Sequence, residues 1–171
     1  YATKGKHWHW VVGAGAKWNF TGSPNPCSEN WQGIRCSKST TADPPHVQNL
    51  TLHDYNLRGS IPFSFSALTQ MKILDLSSNH LTGPIPDSFW NFSVLTGLRL
   101  YANILTGTIS DNLGNLTHLV NIDLDDNALT GAIPNSIGYL PSLRYLDLDN
   151  NYLTGTVPSS IGDLVSLEYL D

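Results

Sequence analysis

The chain has 171 residues, of which 40% are apolar and only 13% charged, with 14 Gly, 10 Pro and a formal charge of −5. That balance excludes a disordered chain, which has too little apolar surface to fold, and the acid excess excludes a general nucleic-acid binder. No run approaches the ~18 apolar residues of a membrane helix, so membrane attachment is expected only through a part of the chain not included in this sequence.

Residues 1–46 are rich in aromatic and basic groups, with Trp8, Trp10 and Trp18 ahead of Cys27, Trp31 and Cys36. His7 and His9 have the spacing of a metal-binding pair, but beside Trp8 and Trp10 they read as decoration of an aromatic surface. Charge is unevenly spread: residues 1–60 sum to +3, whereas residues 100–171 hold Arg144 alone against nine acids. A basic head and an acidic tail make a dipolar molecule.

From Val47 onward the chain repeats every 24 residues. Val47, Met71, Leu95, Leu119, Leu143 and Leu167 open the units. Leu50, Leu74, Leu98, Ile122, Leu146 and Leu170 form a second column, and Leu52, Leu76, Leu100, Leu124 and Leu148 a third. Five full units occupy residues 47–166 and a sixth begins over 167–171. Apolar residues alternate at the end of each opening segment, which predicts a short strand with one face buried. A single unit is too small to bury its own leucines. Stacking the units buries them in one continuous column and sets the strands in a parallel sheet at ~4.8 Å spacing.

The rest of each unit is a turn. Asn79, Asn103, Asn127 and Asn151 follow the strands in register, where an inward amide can satisfy backbone groups as the chain leaves the sheet. The first unit has Tyr55 there instead. Gly59, Gly83, Gly107, Gly131 and Gly155 predict a turn that needs positive φ or close backbone approach. Pro after Ile disfavours helix just before it. The stretches Asp87–Asn91, Asp111–Asn115, Asn135–Tyr139 and Ser159–Asp163 are predicted as helical or 3-10 turns on the far side.

The unit Leu-x-x-Leu-x-Leu-x-x-Asn-x-Leu-x-Gly-x-Ile-Pro resembles the plant-type leucine-rich repeat; residues 143–158 match it apart from Val157 in the Ile position. Segment 26–36, with Cys27, Trp31, Gly33 and Cys36, resembles the Cys–Trp–Gly–Cys cap of that family. The resemblance implies an α/β solenoid: a right-handed leucine-rich repeat superhelix with a parallel concave β-sheet and 3-10 or short helical turns on its convex side. It divides the chain into a cap over 1–46, shortened at its start, repeats over 47–166 and the start of a sixth over 167–171. The only Met is Met71 and the chain stops inside a repeat, so a piece of a longer protein is expected. The resemblance further implies an extracellular recognition domain, as in receptor kinases, receptor-like proteins and secreted inhibitors of wall-degrading enzymes.

Two cysteines cannot build a four-ligand zinc site. A disulfide between Cys27 and Cys36, closing the cap loop in an oxidising compartment, is expected; free buried thiols are the alternative. Four N-glycosylation sequons suit the same compartment, at Asn19, Asn49, Asn91 and Asn115. Asn91 and Asn115 share a repeat column in the turn before the next strand, so their glycans would line one flank and leave the concave sheet free. Asn49 falls on the first strand's outward column.

The outward strand positions define the candidate ligand face. They read Asn49, Ile73, Gly97, Asn121, Tyr145 and Tyr169 in one column, and Thr51, Asp75, Arg99, Asp123, Asp147 and Asp171 in the next. A third holds His53, Ser77, Tyr101, Asp125 and Asp149. These positions vary while the scaffold repeats. Arg99, Tyr101, Asp123, Asp125, Tyr145, Asp147, Asp149 and Tyr169 are the candidate binding residues. Tyrosines stack on sugars or fill protein pockets. Carboxylates about 5 Å apart on adjacent strands raise one another's pKa values or recruit a cation such as calcium. A solvated acidic surface is the reading preferred over a calcium site, and a basic peptide or protein patch is a further natural partner.

Carboxylates at that spacing invite a glycosidase reading, but a shallow sheet lacks a dry pocket to tune acid and base apart, and no catalytic motif appears. No enzyme activity and no cofactor are expected. The ladder of Thr82, Thr106, Thr130 and Thr154 resembles an ice-binding array, but belongs to the ordinary repeat. Two functions remain: an extracellular module that binds a peptide, protein or cell-wall glycan through the concave face, or a structural glycoprotein that self-associates head to tail into a fibre or surface layer.

Overall fold

A computed structural model describes residues 25–41 and 43–171. The sequence features at His7, Trp8, His9, Trp10, Trp18 and Asn19 lie outside the described residues. The strands are β1 (Ile34–Cys36), β2 (Val47–Thr51), β3 (Arg58–Ser60), β4 (Ile73–Asp75), β5 (His80–Pro84), β6 (Gly97–Arg99), β7 (Ile104–Thr106), β8 (Asn121–Asp123), β9 (Thr130–Gly131), β10 (Tyr145–Asp147), β11 (Tyr152–Leu153) and β12 (Tyr169–Leu170).

Seven of them form one sheet in the order β1-β2-β4-β6-β8-β10-β12. From β2 onward the pairing is parallel and steps by one repeat, with Leu50, Leu74, Leu98, Ile122, Leu146 and Leu170 in register. This is the leucine-rich repeat solenoid that the repeat columns predict. The inward leucines make its core: Leu74, Leu98, Ile122 and Leu146 are fully buried, as are Met71, Leu95, Leu119 and Leu143 that open their units. Leucines of the inner repeats are covered from both sides, whereas Leu170 on the last strand is 49% exposed, so burial is a property of the stack and not of one unit.

The far side is built from 3-10 turns η1 (Phe63–Ala67), η2 (Asp87–Asn91), η3 (Asp111–Asn115), η4 (Asn135–Tyr139) and η5 (Ser159–Asp163). Four of the five follow a proline held in extended backbone, which ends the preceding segment and sets the entry angle. Ser110 takes that place before η3 and accepts a hydrogen bond from the Asn112 N–H. The turns are thicker than a strand, so the column fans out on this side and the seven-stranded sheet becomes the concave one.

Short strands on one flank were not predicted. β3, β5 and β7 form a parallel sheet, and β9 and β11 a second. Their register pairs Ser60 with Thr82 and Thr82 with Ile104, so the Thr ladder runs diagonally and not straight across. The predicted glycine column lies here, with φ of 93, 78, 84, 79 and 86° at Gly59, Gly83, Gly107, Gly131 and Gly155. At Gly131 the backbone also passes so near Thr108 that a Cβ would stand 2.9 Å from its methyl.

Candidate functional site on the concave sheet

The chain leaves each strand through an asparagine. The Asn127 amide nitrogen donates to the carbonyls of Leu100, Leu124 and Asp125, and its oxygen accepts from the Leu105 N–H. Asn79, Asn103 and Asn151 repeat this arrangement on their own turns. The turn needs a second feature that sequence reasoning missed. Asp54, Ser78, Ala102, Asp126 and Asn150 all lie in the left-handed region, with φ from 48 to 58°. The recurrent Asp and Asn of that column are the legible signal, because those residues tolerate the conformation; Ser78 and Ala102 are the exceptions that hide it.

Several acids have a structural duty as well. Asp75 accepts hydrogen bonds from the Ser77 N–H and hydroxyl, and Asp147 accepts from the Asp149 N–H. A carboxylate here therefore finishes the strand end. Arg99 stands in the same column between Asp75 and Asp123.

The face divides into two ends. At the first, the His53 ring lies 6.0 Å from Tyr101 and shares a hydrogen bond with the Ser77 hydroxyl. The His53–Ser77–Asp75 chain is not a nucleophilic triad: Ser77 is fully buried and its proton points to Asp75. At the second end the rings of Tyr145 and Tyr169 stack in parallel, 4.4 Å between centroids. The Tyr145 hydroxyl donates to Asp147 at 2.7 Å, and that of Tyr169 faces Asp171 at 3.4 Å. Asp123 lies beside Asp147 on the neighbouring strand, and Asp125 and Asp149 follow just past the ends of those two strands.

One expectation is corrected here. Asp147 points to the outward side as its register requires, yet it is only 8% exposed. The tyrosine shelf covers it, and its charge is met by Tyr145 and the Asp149 N–H, so it is not a freely solvated member of the acidic grid. Its neighbours feel the burial. The Asp123 carboxyl is pushed up to about 6, first by loss of solvent and then by the charge of Asp147. Asp125 is raised by loss of solvent and by Asp126. Tyr145 is raised by its bond to Asp147, and Tyr169 by loss of solvent. Among the described residues no three His, Cys, Asp or Glu side chains are arranged to hold a metal ion.

The cap closes the edge of the sheet before β2. Cys27 and Cys36 form a disulfide with Cα atoms 5.7 Å apart. β1 pairs antiparallel with β2, opposing Arg35 to Asn49. Trp31 is buried and donates to Glu29. Gly33 lies so close to the Thr51 carbonyl that any side chain would collide with it. Tyr55 departs from the asparagine column because its neighbour is the cap: its hydroxyl reaches Gln32 and its N–H bonds to Asn79. Of the sequon asparagines, Asn91 and Asn115 are exposed at the ends of η2 and η3, whereas Asn49 is half-buried on the sheet.

Residues 45–105 and 109–171 match the leucine rich repeat family. The chain belongs to that family. Among curated proteins, the leucine-rich repeat receptor-like protein kinase PXC1 of Arabidopsis thaliana is 41% identical over 61 residues, 36% of this chain and 8% of PXC1. Among solved structures, the ectodomain of the Arabidopsis receptor kinase GASSHO1/SCHENGEN3, in complex with Casparian strip integrity factor 2, superposes with a TM-score of 0.79. It is 40% identical, over 85% of this chain and 17% of that one. The Arabidopsis receptor kinase HAESA, in complex with the peptide hormone IDA and the co-receptor SERK1, gives a TM-score of 0.62 at 39% identity, over 64% of this chain and 19% of that one. This leucine-rich repeat chain thus spans less than a fifth of the length of each of these relatives. For GASSHO1/SCHENGEN3 the matched structure is the leucine-rich repeat ectodomain.

Proposed function

We propose that the chain is an extracellular recognition module that binds a basic peptide, or a basic segment of a partner protein, through the acidic end of its concave sheet. The observation that carries this reading is the stacked Tyr145–Tyr169 shelf with Asp123, Asp125 and Asp149 gathered at the ends of its strands. The scaffold repeats, while these outward positions do not. A stacked tyrosine pair offers rigid contact area at little entropic cost, and the nearby carboxylates select a cationic ligand over a neutral sugar chain. The disulfide supports an oxidising, extracellular setting. The HAESA complex, with its peptide hormone and co-receptor, supports a peptide or protein as the ligand class.

The test is a screen of synthetic peptides against the secreted chain by biolayer interferometry, with Lys/Arg-rich, neutral and acidic sets of equal length. Binding is expected in the basic set. It should weaken at least tenfold in Asp123→Asn/Asp149→Asn and fall with added salt. Selection of acidic peptides, or binding indifferent to those two substitutions, would overturn the proposal.

A further inference from the structure

We propose that Asn115 carries an N-linked glycan whose first N-acetylglucosamine is seated on the ring of Tyr139. This rests on the extracellular reading, because only a secreted chain meets the glycosylation machinery. Asn115 closes η3 and is exposed, as is Thr117, the hydroxyl residue two positions on that completes its sequon. Tyr139 closes η4 and holds, one repeat later, the position that Asn115 holds in its own unit.

Tyr139 is 70% exposed and lies outside the buried core. It leans back toward the earlier repeat: a Cβ placed on Gly114 would stand 3.2 Å from its Cδ2. The phenol therefore lies beside the backbone of the residue immediately before Asn115. A side chain at position 114 would crowd the ring and would also collide with Ser136.

The other members of this column in the later turns are Asn91, Asn115 and Asp163, all polar. A large apolar ring left in water at that point has no packing explanation within the chain. The sugar that would start at Asn115 supplies one. One face of N-acetylglucosamine is a patch of axial C–H bonds, which covers an aromatic face, while its hydroxyls and acetamide stay at the solvated rim. Asn91 has no such platform, since the equivalent neighbour one repeat later is Asn115. The two exposed sequons are therefore not equivalent. A glycan at Asn115 is ordered against the protein, and one at Asn91 projects freely.

The experiment uses the full chain secreted from glycosylating cells and trimmed enzymatically to single N-acetylglucosamine stubs. Mass spectrometry of the peptide containing Asn115 should find the sugar. In NMR spectra the ring protons of that sugar should shift upfield through the ring current of Tyr139. The shift should vanish in Tyr139→Ala and persist in Tyr139→Phe. An unmodified Asn115 overturns the proposal, as does a sugar whose signals are the same in the wild type and in Tyr139→Ala. Neither result alters peptide binding at the concave sheet, so failure here is separable from failure of the proposed function.

Discussion

At the scale of single residues, the asparagines that leave the strands and the carboxyl of Asp123 are the most informative. The Asn127 side chain is buried and pairs with carbonyls of two successive repeats. Replacing it with Ala strands the Leu105 N–H and those carbonyls at a cost of about 1–3 kcal/mol for each buried group left unpaired. Urea unfolding of Asn127→Ala should therefore show a markedly lowered midpoint, and a midpoint equal to wild type would contradict the assigned role. The Asp123 pKa of about 6 lies above its ordinary value of 3.8. Between those values the folded state holds the proton more tightly than the unfolded state does. This carboxyl thus favours folding when protonated and opposes it as pH rises through about 6. Solvent screening at a partly exposed site leaves about 1 kcal/mol of that effect. Thermal unfolding from pH 4 to pH 7 should show wild type losing ground to Asp123→Asn; parallel curves would refute it.

At the scale of elements, close packing of the 3-10 turns decides which substitutions the convex side accepts. A Cβ on Gly138 would stand 2.5 Å from the Ser160 carbonyl oxygen, a backbone atom that cannot swing away. Gly138→Ala should push η4 and η5 apart and cost about 1–3 kcal/mol, as overpacking in a tight interior does. Gly162→Ala, with nothing within 4 Å of the added carbon, should be near neutral. Calorimetry of the two variants side by side checks the contrast. The sequence shows a glycine at 114, 138 and 162 but Trp at 90 in the same column. The buried Trp90 side chain fills the earlier turn instead, so a single residue type does not mark the constraint. The flank strands escaped prediction for a related reason. Their pairing steps by two residues less than the repeat, and no sequence period announces that shear.

At the scale of the whole molecule, the solenoid is one-dimensional: each repeat touches its neighbours and little else. The cap is held by a local disulfide and by Trp31, Gly33 and Tyr55 against the first repeat. Changing Cys36 to Ser should release β1 and β2 while the distant repeats persist. Hydrogen exchange should accordingly rise over residues 27–57 and stay slow across β8 and β10. Uniform loss of protection would show a single cooperative block instead. The same linear build gathers the acids of residues 100–171 at the end of the stack that bears the tyrosine shelf, so that end carries a negative charge.

The repeat columns by themselves determined the parallel sheet, the buried leucines, the asparagine turns, the glycine turns and the places of the four later helical or 3-10 turns. Each of these follows from a periodic requirement on backbone or burial that a single chain displays in full. The candidate face was legible as a set of outward positions, because strand alternation fixes which side a residue takes. Its chemistry was not. That Asp147 is covered, that Tyr145 and Tyr169 stack above it, that Asp123 holds its proton to about 6, and that Tyr139 lies beside Gly114 all depend on side chains from different repeats meeting. Only the tertiary structure decided these, because burial and contact across the stack are set by the distance between repeats and by side-chain torsions, and neither is written in the order of residues along the chain.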